Sequence, residues 1–289
     1  TVWRYQSHRH VGGSYDQVRG DAMLVLKFGR RPLRKGSAVH PNHQRCKISG
    51  TKRTSFGKEP QAALRPESDD GIHTPEKGGT MIYEMRTYTL KPGTVSEFES
   101  RFAERHPYRE KHSRLGGFWH TEFGPLNQVI HVWMYEDLNQ RLAAREAANN
   151  DPDLQRIPGG REFVIEQESD IFMPAPFMRP MGGDQALGDF YEMRIYTYQP
   201  GAISKVIDSW KGSISAREKY SPLAAGMFSE LGSLNKWVHI WPYKDLNERT
   251  RIRAEATSDP NWPPTPSTRE FLVKQENKLL IPAAFSPMH

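Results

Sequence analysis

The chain is poor in sulfur ligands, with a single cysteine, Cys46, in 289 residues. That count excludes an internal disulfide framework and a thiolate-rich metal site. No run of about 18 apolar residues occurs, so no segment reads as a membrane-spanning helix. Phosphate-cradling glycine loops and G-x-S-x-G nucleophile turns are missing, and Gly182-Gly183 falls between the two halves of the chain. No His/Asp/Glu group has metal-ligand spacing, so neither a dedicated metal nor a cofactor is expected. The formal charge of +6 suggests nucleic acid until it is located. Residues 1–80 hold 15 Lys/Arg and 7 Asp/Glu, a net of +8, whereas residues 81–289 hold 25 and 27, a net of −2. The larger part of the chain has no electrostatic footprint for DNA or RNA.

What the chain does contain is a repeat. From Ile82 onward each residue aligns without a gap to the residue 108 positions later, and about 38 of about 97 aligned positions are identical. Tyr83-Glu84-Met85-Arg86 returns as Tyr191-Glu192-Met193-Arg194, and Arg161-Glu162-Phe163 as Arg269-Glu270-Phe271. Such a register means two copies of one folding unit. The expected organisation is a leader (1–80), a first repeat (81–180), a linker (181–189) and a second repeat (190–289). The leader is rich in Arg, His, Gly, Ser and Pro and has too few apolar runs to fold. Codons for Lys77-Gly78-Gly79 can read as a ribosome-binding sequence just before Met81. This predicts a start at Met81, a leader that is read-through of upstream DNA, and a bacterial, cytoplasmic protein; an Arg-rich organelle-targeting segment is the alternative reading of the leader.

Within one repeat, Ile82 to Leu90 reads as a strand ended by Pro92-Gly93. Val95, Phe98 and Phe102 then fall at i, i+3 and i+7 of a helix, with Ile203, Val206 and Trp210 as their copies. A hairpin spans Gly116 to Phe123 and Asn127 to Tyr135. Asp137 and Asp245 sit where helix N-caps belong, with Gln140 and Glu248 three residues on. A last strand runs near Glu162 to Phe172. The order β-α-β-β-α-β is ferredoxin-like and α+β. Two helices cover only one sheet face, so two units in one chain predict sheet packed against sheet, an intramolecular α/β-barrel pseudo-dimer.

Strand alternation divides the residues into two faces. Glu84, Arg86 and Tyr88 share one face, as do His131, Trp133 and Tyr135, with Glu192, Arg194, Tyr196, His239, Trp241 and Tyr243 as copies. Tyr83, Met85, Ile130 and Val132 take the other. The apolar set is expected beneath the helices and the polar-aromatic set between the sheets. Glu122 and Glu230 recur on the hairpin as further candidates.

The Tyr-Glu-Met-Arg-x-Tyr-Thr-x-x-Pro-Gly stretch at 83–93 and 191–201 resembles the opening of NIPSNAP-family domains. So does the Asn-x-x-x-His-x-Trp-x-Tyr-x-Asp-Leu-Asn stretch at 127–139 and 235–247. The resemblance covers both repeats and implies the dimeric α/β-barrel superfamily, which includes cofactor-free oxygenases, haem-processing enzymes and small-molecule binders. It brings no catalytic reaction with it, and fold alone does not give function.

The polar-aromatic residues therefore carry the functional expectations. Glu84 and Arg86 read either as a ligand clamp or as an ion pair, shared with Glu192 and Arg194 of the other copy. His131 and His239 are the general-base candidates, with haem ligation as an alternative. Tyr88, Trp133 and Tyr135 are aromatic walls or core. Arg141 and Arg145, copied as Arg249 and Arg253, are expected to be solvated or paired with Glu162 and Glu270. The leading expectation is a small-molecule binder with an apolar or acidic ligand between the sheets. An oxygenase or isomerase and a non-catalytic interaction module are the alternatives, and homo-oligomerisation stays open. A cavity between the sheets would favour the first two, a filled interior the third. The copies diverge at Phe118-Trp119-His120 against Gly226-Met227-Phe228, and His120 as a second titratable group favours the first copy as the working one.

Overall fold

The computed structural model describes residues 81–264 and 266–289. The leader, with Cys46, lies outside the described residues. The first repeat runs β1 (Ile82–Leu90), α1 (Val95–Glu110), β2 (Arg114–Phe123), β3 (Gln128–Tyr135), α2 (Leu138–Asn150), α3 (Pro152–Arg156) and β4 (Val164–Pro174). The second runs β5 (Phe190–Tyr198), α4 (Ile203–Arg217), β6 (Ala225–Leu231), β7 (Lys236–Tyr243), α5 (Leu246–Thr257) and β8 (Leu272–Pro282). No helix among the described residues is long and apolar enough to cross a membrane.

The sheets meet by more than their faces. Eight antiparallel strands close into one barrel in the order β1-β3-β2-β8-β5-β7-β6-β4. The seams between repeats are β2 on β8, with Trp119 opposite Pro282, and β4 on β6, with Phe172 opposite Ser229. Each repeat lends its last strand to the other's hairpin. Closure leaves no unpaired sheet edge.

The alternation of residues holds, but the destinations of the two faces are reversed. Tyr83, Met85, Ile130, Val132, Tyr191, Met193, Val238 and Ile240 fill the barrel interior together with Trp119, Met227 and Leu280. An eight-stranded barrel is just wide enough for side chains to fill. Buried there, away from water, an unpaired charge would be costly, so the interior takes the apolar face. The polar-aromatic face turns outward and lies beneath its own repeat's helices, where Trp133 packs with Phe98 and Phe102 of α1.

Local motifs account for several recurrences. Asn127 and Asn235 adopt φ 57° and 60°, and their carbonyls accept the backbone N–H of Leu90 and Tyr198 at 2.8 and 2.9 Å. Asparagine tolerates this left-handed geometry better than other non-glycine residues. Asp137 accepts the Gln140 N–H at 2.8 Å, and Asp245 accepts the Glu248 N–H at 2.8 Å. The Glu248 carboxylate reaches back to the Lys244 N–H at 2.6 Å. Asp137→Ala is expected to cost about 1 kcal/mol of stability. A melting midpoint that does not move would place the cap outside the stability of the fold.

Each repeat's tail also crosses to its partner repeat. Phe285 stacks on Phe102 of α1 with centroids 5.5 Å apart, and its copy Phe177 lies edge-on to Trp237 at 6.2 Å. The 181–189 linker is tied down, with Met181 in the barrel core and Gln185 N–H donating to the Pro287 carbonyl at 2.7 Å.

Candidate functional site

Two clefts of about 700 and 490 Å³ open between the outer sheet face and the first helix of each repeat. The first has a floor of Arg86, Tyr88, His131 and Trp133, a roof from α1, and a lip at Gly159 and Arg161. The second repeats the floor with Arg194, Tyr196, His239 and Trp241. The interior between the sheets is filled by the core residues above, so a ligand site in that space is corrected: the expected residues converge on the outer face, one set per repeat.

Beneath each floor lies a buried carboxylate. The Glu84 side chain is 0% exposed, and one of its oxygens accepts from Arg86 (2.7 Å), Arg141 (2.7 Å) and Ser169 (2.8 Å). Arg145 stands 3.7 Å from the other oxygen. Burial pushes this carboxyl up, but hydrogen bonds from Arg141 and Ser169 and the Arg86 charge bring it down to about 2. Glu192 is held below the usual range by the same balance, burial opposed by Arg249, Arg194 and Arg253. The charges are therefore paired within each repeat, not between repeats. Arg141 and Arg145 do not reach Glu162, which Arg101 binds instead. The Arg86 Nε donates to the Tyr88 hydroxyl at 2.8 Å, and Arg194 Nε to Tyr196 at 2.7 Å.

The geometry around the two histidines, the general-base candidates, gives each ring a donor's arrangement. The Trp133 indole N–H donates to His131 Nδ1 at 2.7 Å, and Trp241 to His239 Nδ1 at 2.7 Å. Nδ1 is thus the acceptor, and the proton of the neutral ring sits on Nε2. Burial and the Arg86 charge lower His131 to about 3, and burial and Arg194 hold His239 well below its ordinary value. Neither ring offers a free lone pair to a substrate proton or to a haem iron. Each presents a buried Nε2–H without a hydrogen-bond partner among the described residues. The group is a neutral donor.

Other expected residues fall elsewhere. Tyr135 and Tyr243 are buried and accept from Arg109 at 3.2 Å and Arg217 at 3.1 Å, so they brace guanidiniums and do not line the clefts. Glu122 and Glu230 are exposed near the hairpin turns and line neither cleft. His120 bonds Glu99 at 2.8 Å, which raises its pKa, and it lies outside the first cleft. It gives the first copy no second titratable group in the site.

Arg109 and Arg217 are further cleft-lining residues that strand alternation could not reveal, because they lie on α1 and α4. Arg109 sits 4.6 Å over the Trp133 ring, and Arg217 4.0 Å over Trp241. Neither forms an ion pair with a carboxylate among the described residues. A signal was available: Arg109-Glu110 returns as Arg217-Glu218 inside an otherwise divergent helix. Among the described residues no group of three His, Cys, Asp or Glu is placed to hold a metal ion.

Comparison with known proteins places this architecture. The NIPSNAP family model matches twice, over residues 83–179 and 191–287. Protein NipSnap homolog 3A of Homo sapiens is 31% identical over 239 residues, covering 78% of this chain and 90% of that protein. The NipSnap homolog of Dictyostelium discoideum is 30% identical over 204 residues, 70% of this chain and 88% of that protein. Among solved structures, a proposed monooxygenase from Fusobacterium nucleatum superposes with a TM-score of 0.53 at 11% identity, covering 71% of this chain and 93% of its own, which speaks to the fold alone. The chain belongs to the NIPSNAP family.

Proposed function

We propose that this protein binds small acidic molecules with an apolar body, one in the outer cleft of each repeat. The observation that carries the reading is an excess of cations against aromatic walls. Five arginines line the first cleft (Arg86, Arg105, Arg109, Arg145 and Arg161), and the only lining carboxylate is the exposed Glu166. Four line the second (Arg194, Arg217, Arg253 and Arg269) with no lining carboxylate. Glu84 offsets Arg86 and Arg145, and Glu192 offsets Arg194 and Arg253, but Arg105, Arg109, Arg161, Arg217 and Arg269 form no ion pair among the described residues. Such guanidiniums attract an anion, and their planar forks favour a carboxylate. The rings of Tyr88, Phe98 and Trp133 suit an apolar body, and the His131 ring, its Nε2–H buried and without a partner among the described residues, forms part of the floor.

If the ligand is also transformed, the histidines act as electrophiles toward an oxygen and not as proton acceptors. The filled barrel interior would by itself favour an interaction module, but the two lined clefts favour binding.

Calorimetric titration of the whole chain with a panel of aryl and alkyl carboxylates tests the reading. Arg145→Gln together with Arg253→Gln should weaken binding about tenfold at each cleft, the loss of one charged hydrogen bond. Affinities identical to those of the unaltered chain would overturn the proposal.

A further inference from the structure

The two clefts share their inner halves and differ in their outer halves. At the inner end, Arg86, Arg109 and Arg145 bear on His131, and Arg194, Arg217 and Arg253 bear on His239 in the same way. At the outer end the first cleft carries a second cation pair. Arg105 and Arg161 are close enough that the charge of Arg161, added to burial, depresses the Arg105 guanidinium. Arg105 donates to the backbone carbonyls of Leu154 and Ile157, which leaves its charge uncompensated by any carboxylate among the described residues. Apolar wall from Phe98, Phe102 and Val164 completes the lining.

In the second repeat Ser213 stands where Arg105 does, so Arg269 lacks that neighbour. Trp262 stands where the first repeat has Leu154, which is buried and does not line its cleft. The Trp262 ring meets Trp210 at 5.0 Å and Trp241 at 6.3 Å, both edge-on. Three indoles and a proline-stiffened lip narrow the second cavity, and its outer end sets Trp262 beside Arg269 where the first has the Arg105 and Arg161 pair.

Building on the acid-binding reading above, we propose that the two clefts take different acids. The first takes a flexible dicarboxylate with an apolar spacer, one carboxylate at each arginine group. The second takes a flat aromatic monocarboxylate that slots among the indoles, where ring packing adds to the single charge contact. Duplication has then yielded two specificities in one barrel.

The test is calorimetry on the full chain with suberate and 2-naphthoate, using two variants that each import the other repeat's residue. Arg105→Ser should weaken suberate about tenfold and leave 2-naphthoate unchanged. Trp262→Leu should do the reverse and reduce quenching of tryptophan fluorescence by 2-naphthoate. Each acid is the folding control for the variant that should not affect it. Arg105→Ser weakening both acids equally, or neither, would overturn the assignment while leaving acid binding intact. If neither acid binds the unaltered chain, the acid-binding reading itself fails.

Discussion

Glu84→Gln is expected to destabilise the chain by about 3–5 kcal/mol, the range for breaking a buried ion cluster from one side. The isosteric amide keeps the shape but removes the charge that Arg86 and Arg141 bond and that Arg145 approaches. Three cations around a buried floor then have no anion. Glu192→Gln should act alike in the second repeat through Arg194, Arg249 and Arg253. Urea unfolding at neutral pH measures both, and a loss below about 1 kcal/mol would mean that water already screens the cluster. Acid should reproduce part of the effect. The Glu84 carboxyl is lowered from 4.5 to about 2 in the fold. Its stabilisation is therefore complete above pH 4.5 and is lost as pH falls toward 2, by about 3 kcal/mol at most.

The same cluster shows what could and could not be read in the sequence. Strand bounds and side-chain alternation were legible, because both follow from period-two chemistry within a few residues. β1 spans Ile82–Leu90 as expected, and Glu84, Arg86 and Tyr88 share a face. Which side of the sheet that face meets is not a local property. Polar and aromatic residues suit either a wet inter-sheet space or a helix-covered cleft. The choice is made by the seams β2–β8 and β4–β6, formed between residues more than 50 positions apart. Once those seams close the barrel, only the apolar face can go inside. The role of the histidines was obscured for a similar reason. Residues two apart on a strand are known to share a face, but only geometry shows that the Trp133 N–H is aimed at Nδ1. Arg109 was not legible because the periodicity of α1 marks its apolar residues, whereas the cleft lining takes a cation from the same helix.

Those histidines should make the protein acid-labile above the range where its buried carboxylates titrate. A histidine that stays neutral in the fold but protonates at 6.5 when unfolded favours unfolding as pH falls. Its stabilising contribution is complete above pH 6.5 and is lost progressively toward the folded value, about 3 for His131. For His131 alone the loss from pH 7 to pH 5 comes to about 2 kcal/mol, and His239 adds in the same direction. His106, lowered by burial, also adds to it, whereas His120, raised by Glu99, opposes it. The two floor histidines are isolated by comparing the chain with a His131→Gln/His239→Gln variant, whose amide oxygens can still accept from Trp133 and Trp241. The variant should lose stability at pH 7 and show a flatter dependence of unfolding free energy on pH between 7 and 5. Equal slopes in variant and parent would mean that the rings protonate in place, that the indole bonds yield to water, and that the neutral-donor assignment is wrong. A flattened slope would show that both rings stay neutral in the fold across the working pH range, and with Nδ1 accepting from the indole the neutral ring carries its proton on Nε2.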